Sequence, residues 1–75
     1  MRPKPSRPRE VERVVLQLGF IPVHTSRSGS NRRYKHPDGR STTIAFHSRC
    51  DIPIGTLRAI INDLGISVEQ YNALV

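Results

Sequence analysis

The apolar positions of this chain fall into three stretches with different periods. Val11, Val14, Val15 and Leu18 recur three and four residues apart, which gathers them on one face of a helix. Pro8 suits the first turn of that helix, where its missing N–H has no partner to lose. Gly19 stands where a left-handed residue ends it. From Phe20 the spacing shortens, and Phe20, Ile21 and Val23 with His24 and Thr25 predict a short strand. Pro22 places that strand at a sheet edge, because proline cannot donate to a neighbouring strand. Asn31 to His36 predict a second strand. Thr42, Ile44 and Phe46 alternate with Thr43 and Ala45 in a third. The turn signal Pro37-Asp38-Gly39 is so short that these two strands must form a hairpin. Leu57, Ile60, Ile61 and Leu64 restore the helical period, and Gly65 closes it. Ser67 and Gln70 have the spacing of a capping box for a last short helix, with Ile66 and Tyr71 placed as a hydrophobic staple.

The order helix, three strands, helix, short helix predicts an α+β domain. Consecutive hairpin-linked strands imply an antiparallel sheet, with both main helices burying their stripes on one face. The other face is left to solvent or ligand, a layout that resembles the double-stranded-RNA-binding fold. Seventy-five residues make one domain with a thin core, expected over 8–75. Residues 1–7 hold two prolines and no apolar periodicity, which reads as a flexible basic arm.

Charge sharpens this picture. The net charge is +6, distributed as +3 over residues 1–13, +5 over 27–49 and −2 over 50–75. Such asymmetry is the footprint of a polyanion-binding face, since a merely soluble surface mixes the signs. Cys50 is the one cysteine, so no disulfide framework or Cys/His zinc set is available. It reads as a small, partly buried side chain rather than a nucleophile, having no local base. The basic N-terminal stretch lacks the apolar run of a signal peptide, and no stretch is long enough to span a bilayer. A soluble, cytoplasmic protein is expected.

The segment Gly29 to Arg40 interleaves cations with an aromatic and a histidine along one hairpin. Strand alternation puts Arg32, Tyr34 and His36 on one face and Asn31, Arg33 and Lys35 on the other. The cations are suited to phosphates, with nothing acidic nearby to pair them off. Tyr34 has two readings, a base-stacking platform or, in keeping with the burial habits of aromatics, a core residue. The candidate RNA contacts are Arg27, Ser30, Arg32, Arg33, Tyr34, Lys35 and Arg40, with His47 at the rim of the basic face beside Ser48 and Arg49. His24 reads as structural or exposed, and His36 as part of the turn geometry. The three histidines do not fall at metal-ligand spacings and no carboxylate pair stands near the hairpin, so neither a metal nor another cofactor is expected.

Several motifs occur together in order: Gly19-Phe20, Gly29-Ser30, Tyr34, His36-Pro37-Asp38-Gly39-Arg40, Gly55-Thr56-Leu57-Arg58 and Leu64-Gly65. In this set the chain resembles the HicA family of bacterial toxins over roughly residues 8 to 75. The resemblance implies a metal-independent endoribonuclease that cuts messenger RNA and is neutralised by a HicB-type antitoxin. RNA carries its own nucleophile, the 2′-hydroxyl, so such an enzyme needs a proton carrier and cations to hold the phosphate. The family's Gly-Ser-His element implies that the proton carrier belongs at position 31. Here that position is Asn31, which hydrogen-bonds but takes up no proton near neutral pH. Two readings follow, an inactivated toxin or a non-catalytic RNA-binding module of the same fold. A third, a DNA-binding or structural basic protein, is weakened because Arg9, Arg13 and Arg58 are scattered rather than in a row on one helix.

Overall fold

The computed structural model describes residues 1–23, 30–46 and 50–75. The elements run α1 (Pro8–Gln17), β1 (Ile21–Val23), β2 (Asn31–Lys35), β3 (Ser41–Ala45), α2 (Ile54–Leu64) and α3 (Val68–Leu74). The strands form one antiparallel sheet in the order β1-β2-β3, so Pro22 does lie on an edge strand. The α+β layout, the hairpin and the single helix-covered face are as the periodicities predict.

Both stripes are buried as expected. Val11, Val14 and Val15 from α1 and Leu57, Ile60, Ile61 and Leu64 from α2 meet Phe20, Tyr34, Ile44 and Tyr71 in one core. Each such aliphatic side chain contributes roughly 1.5–3 kcal/mol by leaving water. The helix ends follow local chemistry. Pro8 is the first residue of α1, and the Glu10 carboxylate accepts the Arg7 N–H at 2.8 Å. Gly65 ends α2 in the left-handed region with φ +72°. At α3, Ser67 Oγ accepts from the Gln70 N–H at 3.0 Å and the Gln70 side chain accepts from the Ser67 N–H at 2.8 Å.

Three details differ from the sequence reading. Phe20 leaves the first strand and enters the core, where it stays as β1 begins at Ile21. Cys50 is exposed rather than partly buried. Residues 1–7, expected as a flexible arm, lie packed across the helices in the structure. Pro3 and Ser6 are fully buried. Ser6 Oγ accepts from the Tyr71 hydroxyl at 2.7 Å, and the Ile52 N–H donates to the Ser6 carbonyl at 2.8 Å. Asn72 accepts from the Lys4 N–H at 2.8 Å and donates to the Arg2 carbonyl at 3.2 Å. A buried tyrosine needs a partner for its hydroxyl, and Ser6 supplies it. Among the described residues no helix is long and apolar enough to cross a membrane.

Candidate RNA-binding face

The hairpin register sorts the candidate residues by face. Tyr34 lies opposite Thr42 and Arg32 opposite Ile44, and Thr42 and Ile44 are buried toward the helices. Tyr34 therefore points inward, and Arg32 lies on the same side of the sheet with its side chain still 59% exposed. On the outer face Arg33 lies between Val23 and Thr43, Lys35 between Ile21 and Ser41, and Asn31 opposite Ala45. Asn31, Arg33 and Lys35 are all exposed.

The inward residues are spoken for. Tyr34 is fully buried and its hydroxyl donates to Glu12 of α1 at 2.5 Å. Burial first, then the Glu12 carboxylate, pushes its pKa far above the usual phenol value. It is a core residue, and a base has no access to its ring. Arg32 pairs with the same Glu12 carboxylate at 3.5 Å and lies over the Phe46 ring at 4.4 Å. The long stem of an arginine packs well in such a place while its head stays near water.

Arg40 is committed too. Its Nε donates to Asp38 Oδ2 at 2.8 Å and its Nη1 donates to the Leu64 carbonyl at the end of α2. The guanidinium also lies 5.3 Å from the Phe20 ring centroid. An arginine that bonds the last carbonyls of a helix replaces the partners those groups lack. Hydrogen bonds from the Arg40 N–H and guanidinium hold the Asp38 carboxyl below the ordinary carboxylate range. His36 completes the turn. Its N–H donates to the Arg40 carbonyl at 2.8 Å, its carbonyl accepts from Gly39 at 2.9 Å, and its ring meets Phe20 edge-on at 5.1 Å. Gly39 has φ +103°, a value that a side chain would strain. The expected role of His36 in turn geometry is therefore what the structure shows.

The expectation that nothing acidic pairs off the cations needs correction. Glu12, distant in sequence, reaches Arg32, and Asp38 takes Arg40. Among the described residues, Arg33 and Lys35 make no ion pair. Ser30 flanks them at the start of β2, its carbonyl accepting from the Phe46 N–H at 2.6 Å. Arg27 and His47 lie outside the described residues, as does His24. Among the described residues no three His, Cys, Asp or Glu side chains come together as a metal-holding group.

The hairpin, its Arg40 latch and the outward position of residue 31 belong to a stretch with a recognisable relative. The model for the HicA toxin of bacterial toxin–antitoxin systems matches residues 8–66. The chain belongs to that family. No curated protein sequence matches it. The family match takes in α1, the whole sheet and α2, and it leaves out residues 1–7 and α3. Several of the family-like motifs thereby gain a structural meaning. Gly19 abuts His36, with an added Cβ only 3.2 Å from its Nε2, and Gly65 abuts Arg40, with an added Cβ 3.3 Å from its Cδ. Gly19-Phe20, His36 to Arg40 and Leu64-Gly65 thus form one packed cluster that fixes the hairpin against both helices.

Glu12 is the residue that sequence reasoning missed. It lies on the flank of the α1 stripe and is half-buried, and its position next to Val11 was the available signal. The exposed apolar pair Ile21 and Val23 was missed as well. Strand register shows them to be cross-strand neighbours of Lys35 and Arg33.

Proposed function

We propose that this HicA-family toxin binds messenger RNA on the outer face of its sheet and that the bound RNA is the substrate of a metal-independent endoribonuclease scaffold. The observation that carries the proposal is the grouping of Asn31, Arg33 and Lys35 on one exposed face, with Arg33 and Lys35 outside any ion pair among the described residues. Two cations beside one hydrogen-bonding residue suit a phosphodiester. The cations oppose the charge that builds on the phosphate, and the residue at position 31 stands at the reacting oxygens.

In the reaction, the 2′-hydroxyl attacks the adjacent phosphorus. The new O2′–P bond forms as the P–O5′ bond breaks, leaving a cyclic phosphate and a 5′-hydroxyl. One proton must leave O2′ and one must reach O5′. Asn31 can hold an oxygen by hydrogen bonds but cannot carry either proton. The chain as it stands therefore binds RNA and cleaves it poorly, and histidine at position 31 is the change that supplies the step. A HicB-type antitoxin with an acidic surface neutralises the toxin by covering this face through complementary charge.

The test compares the chain with Asn31→His on RNA in the presence of EDTA. We expect Asn31→His to cleave faster by on the order of 10²–10⁴. Equal cleavage by both would place proton transfer elsewhere, with His47 the first residue to replace. RNA binding without cleavage by either would make the protein a non-catalytic binding module.

A further inference from the structure

The outer sheet face accounts for only part of the positive charge. Arg2, Lys4, Arg7, Arg9 and Arg13 stand against Glu10 and Glu12 in the first thirteen residues. They are concentrated in sequence, and in the fold the segment that carries the first three is docked on the domain. Residues 1–7 are fastened through their backbone: the Met1 carbonyl accepts from Arg58 at 3.4 Å, the Arg2 carbonyl and Lys4 N–H bond Asn72, and the Ser6 carbonyl accepts from Ile52. Pro3 and Ser6 fill the buried positions. The side chains of Arg2, Lys4 and Arg7 are left exposed. Arg9 and Arg13 continue them one turn apart on α1, both exposed.

The two acidic residues leave this group with a net charge of +3. The Glu10 carboxylate is taken up by the Arg7 N–H, and Glu12 turns to Tyr34 and Arg32. Among the described residues, none of Arg2, Lys4, Arg7, Arg9 and Arg13 enters an ion pair. Like charges at i and i+4 on a helix are destabilising, and cations at a helix N-terminus oppose its macrodipole. The arrangement is unfavourable in the protein alone and becomes favourable beside a polyanion.

We propose that the docked N-terminal segment and the exposed side of α1 form a second RNA-contacting surface, which holds the phosphate backbone of a strand whose reacting part lies on the sheet. The proposal rests on the RNA-binding reading above. Its occupant is sequence-neutral phosphate, because the surface offers charge with no aromatic side chain for a base.

The experiment measures binding of a single-stranded RNA longer than the ~16-nucleotide upper site size of a single small fold, as a function of salt. Three proteins are compared: the chain itself, Lys4→Gln/Arg9→Gln/Arg13→Gln, and Arg33→Gln/Lys35→Gln, with circular dichroism to check folding. Each lost phosphate contact reduces the log–log salt slope by about 0.7 on a single strand. The triple variant should lose about 2 from the slope and bind at least ~10-fold more weakly near 50 mM salt. Arg9→Gln alone, expected to lose about 0.7, serves if the triple variant does not fold. An unchanged slope in the triple variant, with affinity lost in the sheet variant, overturns the second surface and leaves the sheet reading intact. No RNA binding by the parent chain overturns both. A triple variant that loses binding to polyglutamate but not to RNA also overturns the proposal and assigns the surface to an acidic protein.

Discussion

Arg32 and Arg33 are neighbours in the chain and belong to different environments in the fold. Arg32 faces the helices, pairs with Glu12 at 3.5 Å and lies over Phe46. Arg33 faces away from them, with Val23 and Thr43 as its cross-strand neighbours. The same division separates Tyr34 from Lys35. The inward pair uses its charge and its hydroxyl on Glu12 of α1, whereas Arg33 and Lys35 enter no ion pair among the described residues. A count of cations in the hairpin therefore overstates the binding face, and register decides which of them count.

This contrast can be broken or sharpened by substitution. The largest effect is expected from Tyr34→Ala, which empties a fully buried site and should cost about 3–5 kcal/mol in urea unfolding. If Tyr34→Ala stayed as stable as the parent and lost only RNA affinity, the inward assignment would be wrong. Next in size is Arg33→Gln/Lys35→Gln. Its stability should stay within about 0.5 kcal/mol of the parent, while the salt slope of RNA binding falls by about 1.4. Arg40→Ala should do the opposite. It removes the partner of the Leu64 carbonyl and of Asp38, costing about 1–2 kcal/mol with RNA affinity unchanged in the folded protein. A drop in RNA affinity at constant stability would move Arg40 to the outward set.

The smallest effect concerns pH. Burial raises the pKa of both Tyr34 and Tyr71. A group whose folded pKa is raised contributes its full stability below the unfolded value of about 10 and loses it as pH climbs beyond that. Urea midpoints should thus be flat near neutral pH and decline above about pH 10. Absorbance near the phenolate band should show that neither tyrosine ionises before the protein unfolds. Ionisation of a tyrosine at its ordinary pKa in the folded chain would show that side chain to be solvent-exposed.

Much of the fold was legible because its periods are strong. Val11 to Leu18 and Leu57 to Leu64 each commit a whole helix face, and Ser67 with Gln70 announces α3 by local hydrogen bonding alone. The outward trio Asn31, Arg33 and Lys35 followed from strand alternation, which is equally local. What was not legible depends on contacts between distant residues. Nothing near Arg32 in sequence points to Glu12, and nothing in Pro3 or Ser6 distinguishes a packed segment from a loose one. The hydroxyl of Tyr71 decides the second case, and it lies 65 residues from Ser6. Assigning Asn31 a chemical role required the family resemblance, because asparagine at a strand start has many ordinary uses.

The bond between Tyr71 and Ser6 also has a consequence in time. The contact closes a loop of 65 residues, whose closure entropy has to be met before the contact rewards it. We expect it to form after the helices and sheet have assembled. In native-state opening, terminal segments come apart at lower free energy than the core they cover. The Ile52 amide, bonded to the Ser6 carbonyl, is then a clock for that opening. Its hydrogen exchange should run faster than that of amides within α2, at a rate set by the lifting of seven residues rather than by unfolding of the domain.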